Sequence, residues 1–126
     1  MKKQIVSIIM AGILFLFLQS FIPEHPEEQA FPDEIGMILK SACYDCHSTG
    51  ATSEKALNAI NFSDWETYRL TKKISLLGDI CKMVEEGKMP PKKYLEHKPD
   101  RIMSEVQKKL LCEWTKKETD KLMQGE

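Results

Sequence analysis

Five consecutive residues, Cys43-Tyr-Asp-Cys-His47, constrain this chain more than any other feature of it. Two thiols one helical turn apart, followed at once by an imidazole, suit few chemistries. A structural zinc site needs about four ligands, usually from two such pairs. The other cysteines, Cys81 and Cys112, do not form a second Cys-x-x-Cys. A thioredoxin-like dithiol expects a βαβ setting, and no stretch of this sequence alternates as a strand would. A local disulfide leaves His47 without a role. Covalent haem attachment uses all three side chains. The thiols reach two vinyl groups on one haem edge, and the residue after the second Cys carries its imidazole to the iron. Cys43 and Cys46 are therefore the expected thioether sites of one haem c, and His47 an axial iron ligand.

The chain around this motif is short. Its 126 residues suffice for one small domain and a targeting segment. With 42% hydrophobic and 29% charged residues it has the composition of a globular protein, not a disordered one. A core of this size is thin, and a covalently held apolar cofactor gives it something to pack around. The net charge of -1 offers no electrostatic footprint for nucleic acid.

Residues 1–20 read as a signal peptide or membrane anchor. Lys2 and Lys3 precede an almost wholly apolar run from Ile5 to Leu18. Leu18 suits a cleavage site poorly, and the apolar stretch through Ile22 nearly reaches the length of a membrane span. Anchoring through residues 4–22 therefore stands beside cleavage. Either way the remainder is expected outside the cytoplasm, in a periplasmic setting. Residues 21–32, with Pro23, Pro26 and Pro32 among acidic residues, read as a linker in which His25 is merely solvated.

The haem domain is expected over residues 33–124 and is all-α. Asp33 and Glu34 open a helix that runs to Ala42, with Ile35, Ile38 and Leu39 on one face. Ser53 caps a short helical turn through Leu57. The longest helix is predicted from Ser63, with Ile74, Leu77, Ile80, Cys81 and Val84 on its apolar face, stopping at Gly87 and Pro90-Pro91. Lys88 to Asp100 is then a loop. The last helix follows Ser104, with Gln107 completing a capping box, and Met103, Val106, Leu110 and Trp114 share a face. Trp114 is expected to pack this helix against the first.

A sixth iron ligand has to come from elsewhere in the chain. Met89 in Gly87-Lys-Met-Pro-Pro91 is the favoured candidate: a soft, neutral thioether in a loop stiffened by two prolines. His97 is the alternative. Met37, Met83, Met103 and Met123 fall on predicted helices, where packing accounts for them. Lys88, Lys92, Lys93 and Lys98 make the Met89 side basic, which suits an acidic redox partner or simply a solvated loop.

From first helix through Cys-x-x-Cys-His to a Met-Pro loop and a final helix, the chain resembles class I-type cytochromes c. More closely, Ala59-Ile-Asn-Phe-Ser-Asp-Trp65, Gly87-Lys-Met-Pro-Pro91 and Cys112-Glu-Trp114 are similar to stretches of small exported haem-binding domains. The resemblance implies thioether bonds at Cys43 and Cys46, with His47 proximal and Met89 distal. Some members carry a longer aromatic segment after the haem motif, and this chain departs from them there. Asn61 and Trp65 are candidates to bond haem propionates, against a turn residue and a core aromatic.

Cys81 and Cys112 form an even remainder in an exported chain, which favours a disulfide, as does the resemblance. Cys112, however, falls nearly opposite the face of Val106, Leu110 and Trp114, so two free thiols remain the alternative. The function expected is single-electron transfer to or from a redox partner protein, without a small-molecule substrate and without enzymatic catalysis. The rivals are a gas- or peroxide-binding haem sensor or enzyme with a displaceable Met89, and a haem-bearing module of a membrane redox complex.

Overall fold

The computed structural model describes residues 30–125; the expected signal or anchor segment and most of the linker lie outside them. Among the described residues there is no strand, and the fold is all-α. In chain order the α-helices are α1 (Asp33–Ala42), α2 (Tyr44–His47), α3 (Glu54–Ala59), α4 (Leu70–Glu85), α5 (Lys92–His97) and α6 (Glu105–Gln124). Two 3₁₀ helices, Phe62–Thr67 and Pro99–Arg101, join α3 to α4 and α5 to α6. Among the described residues no helix is long and apolar enough to cross a membrane.

Local chemistry accounts for most boundaries. Asp33 and Glu34 lie in the first turn of α1 and Lys40 in its last, each matched to the helix dipole. Ser53 caps α3, its hydroxyl accepting from the Ala56 N–H. At α6 the capping box is complete: Ser104 Oγ accepts from Gln107 N–H, and Gln107 Oε1 accepts from Ser104 N–H. The end of α4 needs a glycine. Gly87 has φ +64°, and this left-handed turn lets the Lys88 N–H reach back 2.9 Å to the Met83 carbonyl.

The core is built by three helices. Leu39 of α1, Leu77 of α4 and Leu111 of α6 have no exposed surface, and α6 packs against both α1 and α4. An aromatic cluster closes one side. Phe31 lies 5.9 Å from Phe62, 5.4 Å from Trp65 and 5.8 Å from Trp114, between ring centroids. Phe31 is buried, so the folded domain begins ahead of the boundary placed at residue 33. Trp114 thus packs α6 onto the segment that leads into α1.

Three expectations about the helices need correction. The long helix does not start at Ser63. Phe62 and Trp65, three residues apart, are both buried, and the 3₁₀ turn eclipses such a pair on one side. Tyr68 and Arg69 are then extended, with ψ 138° and 151°, and the Tyr68 hydroxyl bonds the Asn61 backbone, so α4 begins only at Leu70. At 16 residues it is shorter than α6, at 20. Lys88 to Asp100 is not a plain loop either. Gly87 ends α4, yet beyond the prolines the Pro91 carbonyl accepts from the Tyr94 and Leu95 N–H groups and so starts α5.

The buried face of α6 is the third. Val106 is 76% exposed, whereas Leu111 and Thr115, four residues apart, face inward with Leu122 packed behind them. Cys112 flanks that line on one side while Leu110 and Trp114 flank it on the other. The rotation resolves the objection to a bridge: a disulfide joins Cys81 and Cys112, with Cα atoms 4.9 Å apart. The bridge spans 31 residues and ties α4 to α6. Replacing both cysteines by alanine should lower stability by about 3–4 kcal/mol on a chain-entropy estimate. Denaturant titration of the two proteins measures this; superimposable midpoints would show that the bridge contributes nothing.

Candidate haem site

The motif sits where α1 gives way to α2. The Cys43 N–H still bonds the Leu39 carbonyl at 2.8 Å, and the Cys46 and His47 N–H groups bond the Cys43 carbonyl at 3.1 and 2.9 Å. The backbone therefore turns through Cys43 without leaving helical pairing, and the two thiols come from adjacent turns. Both are free and half-buried. Burial, followed by the neighbouring Cys46, pushes the Cys43 thiol up to about 12, so it stays protonated at neutral pH.

His47 is held by the end of α3. Its Nδ1 lies 3.0 Å from the Ala56 carbonyl and 3.1 Å from the Ile60 carbonyl. Both partners are acceptors, so Nδ1 carries the proton and is shared between them. Nε2 then keeps its lone pair, the form in which a neutral imidazole ligates a metal. Phe62 presents to the His47 ring edge-on at 6.2 Å and stacks on Tyr44 at 5.8 Å, which limits rotation of the imidazole.

These groups share one cavity of about 530 Å³. Cys43 lines it from the junction of α1 and α2, Cys46 and His47 from α2, and Met89, Pro90 and Pro91 from the loop after α4. Ile60, Phe62, Leu76, Ile80, Met83 and Val84 form an apolar wall. Residues 46 apart in sequence, from Cys43 to Met89, are thereby brought to one site. The Met89 N–H is fixed to the Met83 carbonyl at 3.1 Å, and the side chain remains partly exposed.

Other candidates fall elsewhere. His97 is exposed, does not line the cavity, and bonds the Lys93 carbonyl through Nδ1 at 2.9 Å. Asn61 is a turn residue: its Oδ1 accepts from the Ser63 N–H, and its amide donates to Thr49 and Asp64. Trp65 is buried in the aromatic cluster. Neither Asn61 nor Trp65 lines the cavity, and neither do Lys88, Lys92, Lys93 and Lys98. The lysine that does so is Lys55.

Sequence reasoning missed Asp45 and Tyr94, which also line the cavity. The Tyr94 hydroxyl donates to Asp45 Oδ2 at 2.8 Å. Loss of solvation and then the Asp45 bond push this phenol up to about 12, so it remains a donor well above neutral pH. Asp45 was visible between the two cysteines, but nothing local pairs it with a tyrosine 49 residues away.

A larger hollow of about 870 Å³ lies between α4 and α6 over the disulfide. Lys108, Lys109, Glu113, Lys116 and Asp120 surround it and no histidine reaches it. Cys81, Glu85 and Cys112 cluster there, but the two sulfurs are bonded to each other and offer no thiolate. Among the described residues, a histidine and two unpaired thiols come together only at the smaller cavity.

An apolar cavity within the range used for cofactors, an imidazole with its outer nitrogen free, two unpaired thiols and a thioether together fit a haem. The fold and site thus define a small helical domain built to enclose that group. Residues 53–117 match the haem-binding domain family, and the chain belongs to it. The match contains Met89 and both bridged cysteines and begins after His47, so the assignment of Cys43, Cys46 and His47 rests on the motif and the cavity. No curated protein and no solved structure matches the chain significantly.

Proposed function

We propose that this haem-binding protein is a monohaem c-type cytochrome that passes single electrons to or from a partner protein outside the cytoplasm. Cys43 and Cys46 hold the haem covalently, and His47 and Met89 are its axial ligands. The observation that carries this reading is the paired hold of Ala56 and Ile60 carbonyls on His47 Nδ1. That arrangement dictates which nitrogen is free to meet the iron.

Haem bound there supplies a one-electron couple, iron alternating between its ferrous and ferric states. The chain's own part is to keep the surroundings unchanged between the two. His47 cannot swing, because its Nδ1 hydrogen is engaged and its ring is flanked by Phe62. Met89 is presented by a loop fixed to the end of α4. The wall from Ile60 to Val84 is apolar, and apolar surroundings disfavour extra charge on the cofactor and favour the reduced state. Electron transfer of this kind requires no general base or nucleophile, and the reading is of an electron carrier without enzymatic catalysis. The apolar run at residues 5–18 supports export, either cleaved or anchored.

A reversible redox titration followed in the visible spectrum tests the proposal. The expected result is a single one-electron midpoint between low-spin ferric and low-spin ferrous spectra. A high-spin spectrum with an open iron site, or irreversible bleaching on reduction, would favour a ligand-binding haem instead.

A further inference from the structure

The Met89 loop is anchored differently at its two ends. Upstream, the left-handed Gly87 and the bonds from Lys88 and Met89 to the Met83 carbonyl fasten it to α4. Downstream it runs through Pro90 and Pro91 into α5, a helix of six residues with no buried side chain. So short a helix does not hold itself together in water, and one without buried apolar residues opens easily. Among the described residues, two side-chain hydrogen bonds fasten this segment to the rest of the protein. The Arg101 guanidinium donates to the Ser41 carbonyl at 3.0 Å, beyond α5. Within α5, the Tyr94 hydroxyl donates to Asp45 Oδ2 at 2.8 Å.

The second tie has a special location. Asp45 lies between Cys43 and Cys46, and both Asp45 and Tyr94 line the same cavity as Met89. The bond therefore joins the segment that presents Met89 to the helix that carries His47. We propose that the Tyr94–Asp45 hydrogen bond is a clasp that holds the Met89 loop against the haem cavity, making Tyr94 a positioning residue for the distal ligand. The inference rests on Met89 as that ligand. Opening of the clasp frees α5 and lets the loop swing out about the upstream anchor at Met83, so the iron becomes accessible to outside ligands in proportion to the open population.

Imidazole binding to the haem-loaded ferric protein reads this population directly. Tyr94→Phe keeps the ring and removes only the hydroxyl. It should bind imidazole about three- to tenfold more tightly, the range that a single net hydrogen bond supplies, with a weaker sulfur-to-iron band. Asp45→Ala should do the same, and the double variant should add nothing further, since the two side chains act through one bond. Asp45→Asn retains an acceptor and should restore most of the wild-type behaviour. Equal imidazole affinity in Tyr94→Phe and wild type overturns the clasp while leaving Met89 as ligand, provided Met89→Ala binds imidazole more tightly. If Met89→Ala also changes nothing, the distal assignment itself fails and the clasp with it. Should Tyr94→Phe not accumulate, Asp45→Ala tests the same bond from α2, and unchanged affinity there overturns the proposal.

Discussion

Met89→Ala should leave the haem attached and the helices folded, yet transform the behaviour of the iron. The side chain is partly exposed and makes little of the core, so the stability cost is small, about 1 kcal/mol or less. The expected change is in ligation. Cyanide and imidazole should bind the ferric variant at concentrations that leave the wild type untouched, and the weak sulfur-to-iron band should vanish. The reduction potential should fall on the order of 100 mV or more, because a neutral thioether favours ferrous iron and axial ligands set haem potentials across about 0.8 V. Potentiometry and an exogenous-ligand titration measure both. An unchanged spectrum and potential would remove Met89 from the iron, and His97 could replace it only if α5 moved, since His97 is exposed and does not line the cavity.

What the sequence made legible here were features whose cause is local. Asp33, Glu34 and the spacing of Ile35, Ile38 and Leu39 announce α1, and Ser104 with Gln107 announces α6. The Cys-x-x-Cys-His motif is equally local, and it predicts a cavity-lining cluster without any knowledge of the cavity. Features with distant causes were not legible. Ser63 looks like a helix start, but burial of Phe62 and Trp65 together imposes a 3₁₀ turn, and the Tyr68 hydroxyl folds the chain back to Asn61. Val106 continues a helical spacing with Leu110, but α6 presents Leu111 and Thr115 to α1 and α4 instead. The tautomer of His47 depends on carbonyls 9 and 13 residues away. The partner of Asp45 lies on a helix that proline-rich sequence disguises as a loop.

The cysteine variants should show the other large effect. With Cys43→Ala and Cys46→Ala combined, no covalent haem can form, and any haem held through His47 and Met89 alone should be lost on denaturation or extraction into acidified organic solvent. Each single variant should retain haem through one thioether at reduced yield. One vinyl group then stays conjugated with the ring, so the ferrous bands should move to longer wavelength. Both cysteines line the cavity where α1 meets α2, and neither is engaged in a disulfide. If the double variant still holds haem after denaturation, the attachment is at some other residue.

Mass spectrometry of the denatured wild-type protein, produced in a host able to mature c-type cytochromes, tests covalent attachment most directly. The predicted mass exceeds that of the mature polypeptide by one haem, with the increment mapping to the peptide that contains Cys43 and Cys46. A mass equal to the bare polypeptide, with haem recovered free in solution, would contradict it.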